Sequence, residues 1–330
     1  MIKDELRQPR PTTTENAYGP NPARDQPLAG THRASRITYH SSRITDHSSQ
    51  ITDHSSLVTY HSSLSDAYKQ RARDQWSANP CGADVAGDRE FGSREYFDAI
   101  EANRYETESP WMKRSIGFDR YEGKRLLEVG FGTGTDLLQF ARGGAHVTGI
   151  DLTPRSIEIA RRRFEVYGLT GEFAIGDGES LSFPDSSFDV VYSFGVLHHT
   201  PDTARAVQEI HRVLKPGGKA IVMLYHRASL YYWGALFLKH GILGGEFFNE
   251  SMAQIMSRRV EYSETGGRPL VKAYTRDEAR RMFGDFRNCE LNVNQLTRRE
   301  LRPVGRLLPE PLFQWLARAF GWNLLITATK

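Results

Sequence analysis

At 330 residues the chain has room for one large domain or two small ones, and it is long enough to bury a sizeable core. Its 43 basic and 40 acidic residues leave a formal charge of +3, so no polyanionic partner is demanded and nucleic acid is not an expected ligand. Two distant cysteines, Cys81 and Cys289, make no disulfide framework, and there is neither an apolar signal core nor a run of about 18 apolar residues. The expectation is a soluble, cytoplasmic protein able to touch a membrane surface but not to span one.

Residues 1–35 carry Pro, Thr, Arg and Asn with no hydrophobic period. Four heptapeptides follow from Arg36 to Ser63: RITYHSS, RITDHSS, QITDHSS and LVTYHSS. One strong apolar residue recurs per repeat (Ile37, Ile44, Ile51, Val58), where a coiled coil needs two. Ser, Thr and β-branched residues are poor helix material. An odd period turns alternate repeats to opposite faces of a strand. Residues 1–64 therefore read as a disordered, low-complexity segment. His40, His47, His54 and His61 share the period but match no standard ligand spacing, and no metal is expected. The array also fits a 21-base tandem duplication read through, with the natural start downstream.

Residues 65–123 change character. Helices are expected at 65–76 and 93–105, the second with Tyr96, Phe97, Ile100 and Tyr105 at helical spacing. Asn79-Pro80-Cys81-Gly82 between them is a turn, and Cys81 reads as structural.

The apolar run Leu126-Leu127-Glu128-Val129 then ends at Gly130, with Gly132 and Gly134 at alternate positions and a helix from Asp136. A buried strand, a glycine turn and a helix N-terminus is where an open α/β sheet receives a nucleotide. A dinucleotide fingerprint would need glycine at Thr135, and a P-loop would need a Lys after the glycines. What remains, Glu128-x-Gly130-x-Gly132-x-Gly134, resembles the first motif of class I S-adenosylmethionine (SAM) dependent methyltransferases.

A second strand at 146–150 ends in Asp151, 17 residues past Gly134, near the interval for a ribose-binding acid. A carboxylate there can accept from both ribose hydroxyls. The helix 154–167 opens on Pro154 and stops at Gly168. A third strand, 171–175, leads to Gly176-Asp177-Gly178-Glu179; strand four is 190–193, a helix spans 203–214, and strand five is 219–225. FPDSSFDVVYSFGVLHHTPD is similar to the subgroup of ubiquinone and menaquinone C-methyltransferases. RVLKPGGKAIVMLY is a further family motif in the right order. WSANPCGA with REYFDAIEANRY is similar to the leading segment of small bacterial SAM methyltransferases.

The resemblance implies an α/β, Rossmann-like fold: a seven-stranded, mostly parallel sheet flanked by helices, a helical cap over 65–123, a methyltransferase domain over 124–330 and an insertion at 227–271. It implies SAM as cofactor, with Glu128, Gly130, Gly132 and Gly134 at the methionine end, Asp151 at the ribose, Asp177 and Gly178 at the adenine, and Leu152 and Ser193 as further cofactor contacts. The Asn/Asp-Pro-Pro-Tyr/Phe box of amino-directed nucleic-acid and protein-glutamine enzymes is replaced by Ser193-Phe194-Gly195-Val196. The expected acceptor is thus a small molecule, lipophilic or aromatic. His198 and His199 are the candidate bases. Tyr105, Tyr225, His226 and Trp233 are the candidate acceptor contacts, Trp233 from the apolar run Leu230–Leu238. The alternatives are a nucleotide-binding oxidoreductase, disfavoured by Thr135, and a methyltransferase fold that binds a partner without turnover.

Toward the C-terminus, Thr275 with Glu278 reads as a capping box. Strands are expected at 288–293 and 323–328, with an amphipathic helix through Leu312, Trp315, Leu316 and Phe320 between them.

Overall fold

A computed structural model describes residues 54–261, 268–298, 300–301 and 304–330, and side chains from Ser65 onward. His40, His47 and most of the heptapeptide array lie outside the described residues. The first described element, helix α1 (His54–Ala78), already includes the last heptapeptide, so the helix reaches back past residue 64, where the sequence predicts disorder.

Two further helices, α2 (Arg94–Ala102) and α3 (Met112–Ile116), complete the leading segment. Ser93 caps α2 by accepting from the Tyr96 N–H, and the helix buries Tyr96, Phe97 and Ile100. These pack on Ile159 of the core domain, so the leading segment is built into the molecule.

The sheet starts at β1 (Arg125–Val129), followed by α4 (Thr135–Arg142), β2 (His146–Asp151), α5 (Pro154–Tyr167), β3 (Glu172–Ile175), β4 (Phe188–Phe194), α6 (Thr203–Val213) and β5 (Leu214–His226). Beyond β5 come α7 (Met252–Arg259), β6 (Ala273–Tyr274), α8 (Arg276–Met282), β7 (Arg287–Asn294), α9 (Glu310–Phe320) and β8 (Asn323–Thr329). The strand order is β3-β2-β1-β4-β5-β8-β7, with β6 added beside β5. Strands β1 to β5 pair in parallel, and β8 runs antiparallel to both β5 and β7. The expected seven strands are present, and the two-residue β6 is an eighth.

Strand β5 begins five residues before the expected Lys219. Its register with β4 jumps from Phe188↔Leu214 to Val190↔Lys219, so Lys215-Pro216-Gly217-Gly218 is a bulge within the strand. Along β1 the side chains alternate between two cores. Leu127 and Val129 face α6 and α8, while Leu126 faces α4 and α5. Glu128 points to the Leu126 side and is buried there, an expensive place for a carboxylate.

Local chemistry explains the helix ends. Thr153 accepts from the Ser156 N–H at the start of α5, and Gly168 ends that helix in the left-handed region. The capping box of Thr275 and Glu278 is present at α8. The insertion packs as its own small core, with Leu236 of a π-helical stretch (Tyr231–Leu243) against Ile255 and Met256 of α7.

Candidate active site

At the carboxyl ends of β1, β2 and β4, a cavity of about 340 Å³ opens under α1. Gly130 and Gly132 line it, and all three motif glycines have positive φ: 77° at Gly130, 53° at Gly132 and 71° at Gly134. Each is glycine for a further reason. A Cβ on Gly130 would stand 2.5 Å from both Val196 methyls, and one on Gly134 would meet Ala160 Cβ at 3.1 Å. A Cβ on Gly132 would meet nothing within 4 Å, so there the backbone faces open space. The turn thus presents bare backbone at Gly132 and is held by packing on either side.

Asp151 ends β2 with its carboxylate tied into this turn. Oδ2 accepts from the Gly132 N–H at 3.0 Å, and Oδ1 accepts from the N–H and hydroxyl of Thr153, both at 2.9 Å. Burial pushes the Asp151 carboxyl above its ordinary range against those donors. Asp177, after β3, accepts from the Glu179 N–H on Oδ1 and from Lys69 Nζ on Oδ2 at 2.7 Å. Lys69 also reaches Glu179 Oε2 at 2.6 Å, so one ammonium from α1 clasps two acids at the cavity rim.

The opposite end is acidic, with Glu128 and Asp136 both buried. Asp136, at the start of α4, accepts from Arg104 Nη2 (2.8 Å), Tyr105 OH (2.7 Å) and Tyr192 OH (2.8 Å). Burial works to raise the Asp136 carboxyl, but Arg104 and the three donors outweigh it and hold it below the ordinary range. Glu128 has no such support: burial, with Asp136 adding to it, pushes its carboxyl well above the ordinary range. Its Oε2 is buried without a hydrogen-bond partner among the described residues. That orphaned acceptor, on the cavity wall beside bare backbone, fits an ammonium-bearing ligand such as the methionine end of SAM.

A third end is walled by Trp76, Phe194, Met223 and Tyr225, with Cys81, His199 and Glu261 beside them. Tyr225 OH donates to Glu261 Oε1 at 2.8 Å, and His199 Nε2 lies 3.4 Å from the same oxygen. Burial would raise Glu261, but His199 and Tyr225 together hold it below the ordinary range. Cys81 is exposed where it lines the cavity, and the protein packed around it pushes its thiol up to about 12. A neutral thiol is a poor nucleophile, in keeping with a structural Cys81.

Of the residues singled out from sequence, Glu128, Gly130, Gly132, Asp151, Leu152, Asp177, Gly178, His199 and Tyr225 line this one cavity. The others stand off it. Gly134 turns the chain into α4. Ser193 is fully buried, donating to the Val129 carbonyl at 2.9 Å, so it ties β4 to β1. Tyr105 is spent on Asp136. His226 is buried against the Gly321 carbonyl, 3.0 Å from Nδ1. His198 is fully buried behind His199, tilted against Tyr225 with centroids 3.8 Å apart, and burial holds it well below its ordinary pKa. Trp233 is half exposed and packs on Tyr232 and Phe237. The insertion reaches the cavity, among the described residues, only through Glu261.

Lys69, Arg104, Asp136 and Glu261 were not legible as site residues. Asp136 sits two residues past Gly134, the one local signal available. The rest come from segments whose link to the glycine turn exists only in three dimensions.

The strand order and the acid-lined glycine turn are those that a resemblance to class I SAM-dependent methyltransferases implies. Residues 127–222 match the family described as a methyltransferase domain. Over 98 residues the chain is 44% identical to the phthiotriol/phenolphthiotriol dimycocerosates methyltransferase of Mycobacterium leprae, covering 29% of this chain and 36% of that one. Over 101 residues it is 41% identical to the demethylmenaquinone methyltransferase of Tropheryma whipplei, covering 30% of this chain and 41% of that one. A SAM-dependent methyltransferase of Methanosarcina mazei superposes with a TM-score of 0.48 at 23% identity, over 66% of this chain and 96% of that one. The match to the curated relatives spans about a third to two fifths of their length.

Proposed function

We propose that the protein transfers a methyl group from SAM to a small, lipophilic or aromatic acceptor. The observation that carries the reading is the convergence of Glu128, the Gly132 backbone, Asp151 and Asp177 on one cavity. In this reading Glu128 accepts from the ammonium of the methionine end, and its raised affinity for a proton is offset by that cation. Asp151, anchored by Gly132 and Thr153, keeps acceptor capacity for the ribose hydroxyls. Asp177 and Gly178 hold the adenine edge. When bound, SAM supplies a methyl on a sulfonium, a leaving group that needs no proton.

The chain's own contribution is then placement and exclusion of water. Trp76, Phe194, Met223 and Tyr225 form an apolar and aromatic wall for the acceptor. His199 with Glu261 is the polar feature at that end, and His198, behind it, does not touch the acceptor. A lipophilic acceptor also agrees with the quinone and dimycocerosate substrates named for the relatives. The acceptor wall is made by the leading segment and the strand ends, with Trp233 and His226 outside it.

Titration calorimetry with SAM against NAD tests the cofactor, followed by methyl-labelled SAM with quinone and lipid-linked phenol acceptors. SAM binding and label transfer are expected. Asp151→Ala should weaken SAM binding at least tenfold, because hydrogen bonds to a charged group are worth roughly 1.5–3 kcal/mol each. NAD binding without SAM binding would overturn the reading.

A further inference from the structure

His198, His199 and Glu261 bring one donor atom each to within 4.8 Å of the other two. The proton count at this cluster is informative. His199 Nδ1 lies 2.7 Å from the Leu270 carbonyl, which can only accept, so Nδ1 carries a ring proton. In the neutral ring Nε2 is then a lone pair, and it faces Glu261 Oε1, also an acceptor, at 3.4 Å. Two lone pairs face each other stably only with positive charge between them. A second ring proton would satisfy that pair alone. It would do nothing for His198, which is fully buried with both ring nitrogens lacking a hydrogen-bond partner among the described residues. A metal cation takes the lone pairs of all three.

The spacing agrees. Donors bound to a tetrahedral ion at about 2.0–2.1 Å lie roughly 3.3 Å apart, close to the separation of His199 and Glu261. Supporting contacts of the kind that orient metal ligands are also present. The Leu270 carbonyl fixes the His199 tautomer, and Tyr225 OH donates to Oε1, the Glu261 oxygen that faces His199, and so orients the carboxylate. We propose that His198, His199 and Glu261 bind a divalent transition-metal ion of zinc type, with a position left for an exogenous ligand. Because His199 and Glu261 line the cavity, the ion stands at its wall. On the methyl-transfer reading, which the metal site does not require, the remaining position takes an oxygen or nitrogen of the acceptor.

The test uses the full-length protein, stripped with a chelator and titrated with Zn²⁺ and separately with Co²⁺. One equivalent should bind per chain, and the Co²⁺ form should show visible ligand-field absorption. Glu261→Gln keeps shape and should lower Zn²⁺ affinity by at least about a hundredfold, more than the 10–100-fold typical of losing a supporting contact. The melting temperature of the metal-free protein should hold. Unchanged affinity in that variant would assign the ion to the N-terminal histidines and overturn the proposal, as would failure of the wild type to hold Zn²⁺. X-ray absorption of the wild-type zinc form decides independently of any variant. Two imidazoles with oxygen ligands are expected, and four imidazoles would overturn the site.

Discussion

Lys69 Nζ stands 2.7 Å from Asp177 Oδ2, joining a helix at the start of the described chain to the turn after β3. The same ammonium reaches Glu179, so the roof of the cavity is fastened at one rim by a single side chain. Burial works against the charged lysine, but the two carboxylates outweigh it and raise its pKa above the ordinary value.

Lys69→Met should therefore loosen α1. The pair is partly buried, between surface pairs worth under about 1 kcal/mol and buried pairs whose breaking costs about 3–5 kcal/mol, so a loss of roughly 1–3 kcal/mol is expected. A raised folded pKa contributes stability that is fully present below the unfolded value, near 10.5, and is lost as pH rises through the folded one. The gap between wild type and variant should be constant from about pH 7 to 9 and close above about pH 10.5. Denaturant melts across that range check it, with proteolysis of α1 as a second readout.

Gly130→Ala places a methyl 2.5 Å from Val196 at a φ of 77°. Left-handed strain in a non-glycine costs about 1–3 kcal/mol, and overpacking adds a similar amount. SAM affinity should fall at least tenfold. Val196→Ala in the same chain should recover the steric part only, leaving affinity between the two. Full recovery would mean that backbone conformation does not matter at Gly130.

Asp136→Asn removes the charge that Arg104, Tyr105 and Tyr192 all serve. A partly buried guanidinium without its counter-charge should cost roughly 1–3 kcal/mol, between exposed and fully buried pairs. Because the Asp136 pKa is depressed, its contribution is present above the unfolded value of 3.8 and lost as pH falls through the folded one. The variant's deficit should therefore shrink below about pH 4. Melting at pH 7 and pH 3 measures it.

Trp233→Ala should be nearly silent. The indole is 51% exposed and faces neither the cavity nor the main core, so about 1 kcal/mol or less is expected. Unchanged SAM affinity, acceptor turnover and melting temperature would agree. A loss of turnover alone would restore an acceptor role for the insertion helix.

The strands, the glycine turn, Asp151 and the Asp177-Gly178 step could be read from sequence because each is a local pattern: an apolar run, a breaker, an acid at fixed distance. Asp151 and Gly132 meet across 19 residues, within one βαβ unit. Arg104 and Asp136, or Tyr225 and Glu261, are joined by no such pattern. Residue type misled where a polar group was used for packing. Ser193 and Tyr105 have the chemistry of ligand contacts, but their hydroxyls serve the Val129 carbonyl and the Asp136 carboxylate. The aromatic run around Trp233 looked like a pocket wall because composition does not say which face is covered.

The clasp between Lys69 and Asp177 spans 108 residues, and that separation sets an order of events during synthesis. At about 5–20 residues per second, α1 leaves the ribosome roughly 5–20 s before the turn it fastens to. Through that interval its apolar side, including Ala72, has no finished sheet to rest on. The first described helix is thus docked late, and ligand binding matures only after the strands beneath it are paired. A nascent chain halted before Asp177 would carry α1 as a loose segment, open to chaperones and proteases.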